Sequence, residues 1–312
     1  MRMENGEWRV SVQKGIAIQS IRIYNRDNSS PLEGAMREIY ASQITDAVAR
    51  LCEQANCLLP ADLRHRIAEC RAAEDWPNAE AILDLIAENE AMAQREQMPI
   101  CQDTGAACVF LELGQDVHVV GSIVDAVNEG VRRGYKNLRK SIVADPLDRV
   151  NTGDNPPAFL HFEPVAGEHI RITLAPKGFG SENMSRLKML KPSDGVAGVK
   201  EFVLETVRLA GPNPCPPMVV GVGVGSTFEG AALLAKKALL RPVDQPNPTP
   251  FYAELERELL QAINALGIGP QGFGGHTTAL AVSIEQAPTH IAGLPVAVNI
   301  GCHVTRRATE VL

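Results

Sequence analysis

The chain has 312 residues, 45% of them hydrophobic and 4% aromatic, with a formal net charge of −7. That apolar content suffices for a buried core in one large or two ordinary domains, while the acidic balance and the lack of a Lys/Arg block interleaved with aromatics speak against a general nucleic-acid surface. No apolar run approaches the ~20 residues of a membrane span, the N-terminus lacks a signal-type apolar core, and seven cysteines in a chain too large to need staples fit a reducing cytoplasm.

In residues 1–35, Glu4-Asn5-Gly6-Glu7 and Asn25 to Pro31 break any periodicity, so this stretch reads as a variable N-terminal extension or an upstream start-site artefact. From Met36 the pattern is clean. Ile44, Val48, Leu51, Cys52 and Ala55 recur at helical spacing from Ser42 to Leu59, with Ser42 as the expected N-cap. Pro60 to Glu74 and Pro77 to Arg95 each open on a first-turn proline and read as two more helices. After Cys101, short apolar runs bounded by Gly, Pro or polar clusters predict strands at Ala106–Leu111, Ile170–Ala175, Met218–Val224, Thr278–Ile284 and Val296–Ile300. Between them, helices are expected at Val124–Asn137, Gly195–Leu209, Ser226–Leu240 and Phe251–Leu266. The fold class is therefore α/β with an α+β-like character, an N-terminal helical layer followed by a mixed-sheet body over 36–312.

Cys101, Cys215 and Cys302 each occupy a short turn, in Pro99-Ile100-Cys101-Gln102-Asp103-Thr104-Gly105, Asn213-Pro214-Cys215-Pro216-Pro217 and Asn299-Ile300-Gly301-Cys302-His303. Three such thiols without a fourth equal suggest an iron–sulfur cluster with one iron open to substrate, a Lewis acid; the plain alternative for any one of them is a small buried hydrophobe. Cys52, Cys57, Cys70 and Cys108 lie in helical or apolar text and read as packing. Gln102 and Asp103 follow Cys101 directly, an amide and a carboxylate within reach of anything bound there, although Asp103 also suits a turn before Thr104-Gly105. Arg139 reads either as a helix-terminal cation or as a bidentate carboxylate clamp, and Arg306 with Arg307 as a clamp or a solvated basic pair. Lys177-Gly178-Phe179-Gly180-Ser181-Glu182-Asn183 offers backbone donors to an anion or is a flexible turn. His290, ahead of the strand that ends at Cys302, and more weakly His276, are candidates for proton transfer. Gly221 to Glu229 lacks the phosphate-loop and dinucleotide signatures and reads as close strand packing followed by a Ser226/Glu229 capping box.

Together, Pro99 to Gly105, Lys177 to Ser185, Asn213 to Gly225, Leu266 to Gly272 and Leu294 to Cys302 resemble, in the same order, the α-type domain of the iron–sulfur class I fumarase and L-tartrate dehydratase family. The resemblance covers roughly Met36 to Leu312. It implies a 4Fe-4S cluster held by Cys101, Cys215 and Cys302, substrate contacts at Gln102, Asp103, Arg139, Gly180 and His290, and His290 and Asp103 as the catalytic pair. Single-chain relatives continue into a second domain that supplies the proton-abstracting base, so the expected partner is a separate β subunit in an α2β2 heterotetramer. The implied reaction is reversible hydration of fumarate to (S)-malate, a step of the tricarboxylic acid cycle, favoured over tartrate dehydration because Asn299 to Arg307 is more similar to the fumarase subgroup. A non-enzymatic redox or iron-sensing protein, and a metal-free structural subunit, are the alternatives from other classes.

Overall fold

The structure, a computed structural model, describes Arg2–Glu4, Glu7–Arg9 and residues 36–312. The chain divides into two units, 1–35 and 36–312. In the first, β1 (Arg2–Glu4) pairs antiparallel with β2 (Glu7–Arg9); the reading of this stretch as an extension or artefact otherwise falls outside the described residues. The second opens with β3 (Arg37–Tyr40) and three helices, α1 (Ala41–Cys57), α2 (Ala61–Ala73) and α3 (Pro77–Glu96). Ser42 is not the cap expected of it. Because β3 runs directly into the helix, Ser42 lies inside α1, and the entry is closed instead by the Tyr40 N–H, which donates to the Gln43 side chain at 2.9 Å.

There follow β4 (Ala106–Gly114), β5 (Val117–Val120), α4 (Ile123–Gly134), β6 (Phe159–Val165), β7 (Ile170–Lys177), the short α5 (Phe179–Glu182), β8 (Arg186–Leu190), α6 (Gly195–Ala210) and β9 (Met218–Ser226). The chain ends with α7 (Phe228–Ala238), α8 (Pro250–Asn264), β10 (Ala279–Thr289), β11 (Leu294–Gly301) and β12 (Ala308–Val311). All five predicted strands form, and β3, β5, β6, β8 and β12 join them. Two four-stranded mixed sheets result, in the orders β12-β7-β4-β6 and β10-β9-β11-β8, with β3 and β5 as a separate parallel pair.

The first sheet is covered by α1, which packs with α4; Val48, Leu51, Val127 and Tyr135 meet Val109, Ile172 and Leu174 in one apolar core. In the second sheet, β9 divides its faces. Val220 and Val222 point into a core with α6 and α8, while Gly221 and Gly223 lie under α7. A Cβ on Gly223 would stand 2.1 Å from the Ala231 carbonyl oxygen, and one on Gly221 2.2 Å from that of Ala235. These glycines therefore permit close strand–helix packing, as expected, whereas the capping box does not form: Ser226 closes β9 and Thr227 precedes α7 without a side-chain cap. Gly223→Ala is expected to cost about 3 kcal/mol, the upper end for overpacking, because both obstructing atoms belong to a helix backbone. An unchanged denaturation midpoint would contradict this packing.

Candidate metal centre

The register sets where the cysteine loops meet. Ala106 at the start of β4 pairs with Lys177 at the end of β7, and Val219 near the start of β9 pairs with Gly301 at the end of β11. Cys101 leads into β4, Cys215 into β9, and Cys302 follows β11, so all three thiols lie at one end of the two sheets. Cys101 is close enough to both others for its charge to be felt: burial pushes the Cys215 thiol up and Cys101 adds to the rise. Burial likewise raises Cys302, opposed by Arg306 and Lys177 and reinforced by Cys101.

Each loop is held by named bonds. Cys215 has φ +55°, unusual for a non-glycine residue. Its carbonyl accepts from the His303 N–H at 3.3 Å and faces His303 Nδ1 at 2.9 Å. Next to it the Pro216 carbonyl accepts from both the backbone N–H and the Nε2 of Gln271 at 2.8 Å. Asp103 bridges two elements: Oδ1 accepts the Gly105 N–H and Oδ2 the Phe179 N–H, both at 3.0 Å. It thus makes the expected turn and also pins the Lys177–Glu182 segment beside Cys101. Arg306 is buried and donates to the Asp103 carbonyl at 2.6 Å, while its Nε has no acceptor among the described residues. Arg307 pairs with Asp62 at 2.8 Å, both side chains nearly buried. The solvated basic pair is therefore corrected, since the chain turns back under the N-terminal helices just after Cys302.

Gln102 is exposed, with its Oε1 3.6 Å from Cys101 Sγ. Arg139 lies beyond the end of α4, where its carbonyl accepts from the Thr104 hydroxyl at 2.8 Å and its exposed side chain makes no ion pair among the described residues. Gly180 faces the Cys215 loop, since an added Cβ would meet the Asn213 carbonyl oxygen at 3.7 Å. Gln102, Asp103, Arg139 and Gly180 thus adjoin the cysteine loops. His290 does not. It follows β10, whose Thr289 pairs with Ser226 at the far end of β9, roughly 25 Å from the cysteine end at ~3.3 Å per strand residue. His276 is also elsewhere: its ring pairs with the exposed Asp75 at 2.9 Å and its N–H donates to Glu74.

Sequence reasoning passed over Lys177 and His303 as individuals. Lys177 is almost fully buried; its ammonium donates to Ile300 O at 2.9 Å and Ser181 Oγ at 2.8 Å and pairs with Glu182 at 3.2 Å. Burial lowers its pKa, with Glu182 acting against that. Burial also opposes ionisation of Glu182, but Lys177 and Lys236 prevail and hold it at about 2. Since its folded value lies below the ordinary 4.5, Glu182 stabilises the fold above pH ~5 and loses that contribution as pH falls toward 2. The displacement corresponds to at most about 3 kcal/mol, and the burial cost carried by Lys177 reduces it. The stability gap between wild type and Glu182→Gln is expected to narrow progressively as pH falls from about 5 toward 2; a constant gap in acid melts would refute the coupling.

The donor set defines what fits here. Thiolates are soft ligands suited to iron–sulfur clusters, zinc or copper(I). Among the described residues, the three sulfurs are not all within 4.8 Å of one another, the closeness found for Glu74, Asp75 and His276, so they are spread more widely than one ion's shell. Three separated thiols flanked by the cations of Arg306 and Lys177 fit an anionic multi-iron cluster.

Comparison with known proteins agrees with this chemistry. The fumarate hydratase (Fumerase) family matches residues 45–311. Over 277 residues, 86% of this chain and 97% of the relative, the sequence is 44% identical to the putative L(+)-tartrate dehydratase subunit alpha of Methanocaldococcus jannaschii. It is 33% identical over 274 residues to the L(+)-tartrate dehydratase subunit alpha of Escherichia coli strain UTI89 and 32% identical to that of strain K12, in each case across 86% of this chain and 90% of the relative.

Proposed function

Because the chain belongs to the fumarate hydratase (Fumerase) family, and is thereby a hydro-lyase of the iron–sulfur, α-subunit type, we propose that it catalyses the reversible hydration of fumarate to (S)-malate together with a β-type subunit. The observation that carries this reading is the meeting of the three cysteine loops at one end of both sheets, with Gln102, Asp103, Arg139 and Gly180 around them. Cys101, Cys215 and Cys302 would hold the cluster. Such a 4Fe-4S cluster, when bound, would supply Lewis acidity for loss of the hydroxyl.

The remaining steps belong to side chains and backbone. Asp103, fixed by two N–H donors, orients the departing hydroxyl by accepting a hydrogen bond from it. Arg139 and Gln102 take a substrate carboxylate, the guanidinium through paired N–H donors, and the Gly180 turn adds backbone donors. His290, at the opposite sheet end, is left out of these roles. The β subunit brings the base that removes the C3 proton, in an α2β2 assembly. No described helix is long and apolar enough to cross a membrane; the proposed compartment is the cytoplasm, where seven free thiols persist and a malate–fumarate step serves the tricarboxylic acid cycle.

A second reading, dehydration of L-tartrate, is favoured by the names of the relatives and needs the same machinery with room for a second hydroxyl. Steady-state kinetics of the anaerobically purified complex decide between them. We expect kcat/KM for (S)-malate to exceed that for L-tartrate at least tenfold, and the reverse ratio would transfer the assignment to tartrate.

A further inference from the structure

Lys177 is a buried ammonium that the proposed chemistry does not use, and it bonds to the peptide that leads into Cys302. It donates to the carbonyl of Ile300, two residues before Cys302. Its partner Glu182 accepts from Asn299 Nδ2 at 2.7 Å, and Asn299 also donates to Ser185 Oγ at 2.9 Å. Ser185 Oγ in turn accepts the Ile300 N–H at 3.1 Å. The peptide units entering the Cys302 turn are therefore gripped from both sides by one segment, 177–185. That segment is itself locked to the Cys101 loop: Asp103 holds Phe179, and a Cβ on Gly105 would stand 2.8 Å from the Lys177 backbone. A small cleft of about 30 Å³ has both Lys177 and Cys302 in its wall, together with Lys236 and Arg306.

A lysine costs several kcal/mol to bury as a cation unless paired and fully bonded. Here its bond to the Ile300 carbonyl and, through Glu182 and Asn299, its ion pair lead to the Cys302 turn, while its other donors go to Ser181 Oγ and the Gly178 carbonyl. We propose that Lys177 is a positioning residue for Cys302: its ammonium sets the orientation of the 299–302 peptides and places a fixed positive charge beside the third thiol of the site. The inference rests on the reading of Cys302 as a cluster ligand. It differs from the role of Lys236, which pairs with the other oxygen of Glu182 at 2.6 Å and has no bond to residues 299–302 among those described.

The test uses the full chain with its partner subunit, purified anaerobically, in Lys177→Met, Lys177→Arg and Lys236→Met forms. Iron release to a chelator is expected to be at least tenfold faster in Lys177→Met, with an altered EPR spectrum of the reduced cluster, whereas Lys177→Arg and Lys236→Met stay within about threefold of wild type. Wild-type release and an unchanged spectrum in Lys177→Met, or equal acceleration in Lys236→Met, would overturn the proposal. Should Lys177→Met not fold, Asn299→Ala replaces it, with at least threefold faster release expected and wild-type release refuting. Absence of iron and sulfide from the wild type would sink the cluster reading by itself. Positioning is then read in the metal-free chain as the alkylation rate of Cys302 relative to Cys101, which is expected to change at least fivefold in Lys177→Met; an unchanged ratio refutes the inference.

Discussion

Cys215→Ser should abolish retention of iron and acid-labile sulfide in anaerobically purified protein, while Cys108→Ser should leave both within about a fifth of wild type. The two residues differ in environment more than in type. Cys215 is exposed, held in a left-handed conformation by His303 and Gln271, and within the electrostatic reach of Cys101. Such a conformation persists only where the surroundings over-determine it, and here they do so with bonds to the carbonyls of both Cys215 and Pro216. Cys108 lies within β4, its backbone paired in the sheet and its side chain buried, so it does not sit in a turn open to a cluster. A serine at 215 keeps the turn but presents a hard oxygen where a soft ligand is needed. Loss of activity should accompany loss of the cluster, by at least three orders of magnitude. Equal sulfide in both variants would show that the thiols have been sorted wrongly.

That Cys101, Cys215 and Cys302 lie in turns and the other four cysteines in helices or a strand was legible because it depends on local text: turns marked by Gly and Pro against runs of apolar periodicity. The same holds for the five central strands and the main helices. Elements at sheet edges were harder to read. β6 carries Pro164 and follows Pro156 and Pro157, and its side chains stay largely exposed, so no alternation marks it; β8 mixes Arg186 and Lys188 with apolar residues for the same reason. The placement of His290 is instructive in another way. Twelve residues before Cys302 is near in sequence, but β11 occupies the interval, and an extended strand carries its two flanking turns to opposite ends of the sheet. Arg306 and Lys177 illustrate the reverse limit. Their burial is a product of the Cys302 loop folding beneath the N-terminal helices and against the 177–185 segment, contacts between residues far apart in the chain that no local pattern announces.

Purified without a partner, the chain should retain its cluster under anaerobic conditions yet hydrate fumarate with a kcat/KM at least ~10⁴-fold below that of the complex, and adding the β subunit should restore turnover. A general base contributes about 10²–10⁴, and exclusion of water from a developing charge contributes further. Neither is furnished by Asp103, Lys177 or His303. Asp103 has an oxygen engaged by each of two backbone N–H groups, Lys177 is committed to Ile300, Ser181 and Glu182, and His303 is turned toward the Cys215 carbonyl. None of them is a free acceptor for a C3 proton. Gln102, Arg139, Phe179 and Cys215 are exposed on this same face, so charge developing there would be shared with solvent. On the proposed reading, a face that offers thiols and donors to a substrate carboxylate but lacks a base and a cover is half of an active site, and the β subunit would bring the other half. Full turnover by the isolated chain, measured with a reconstituted cluster, would place the base within this chain and remove the need for the partner.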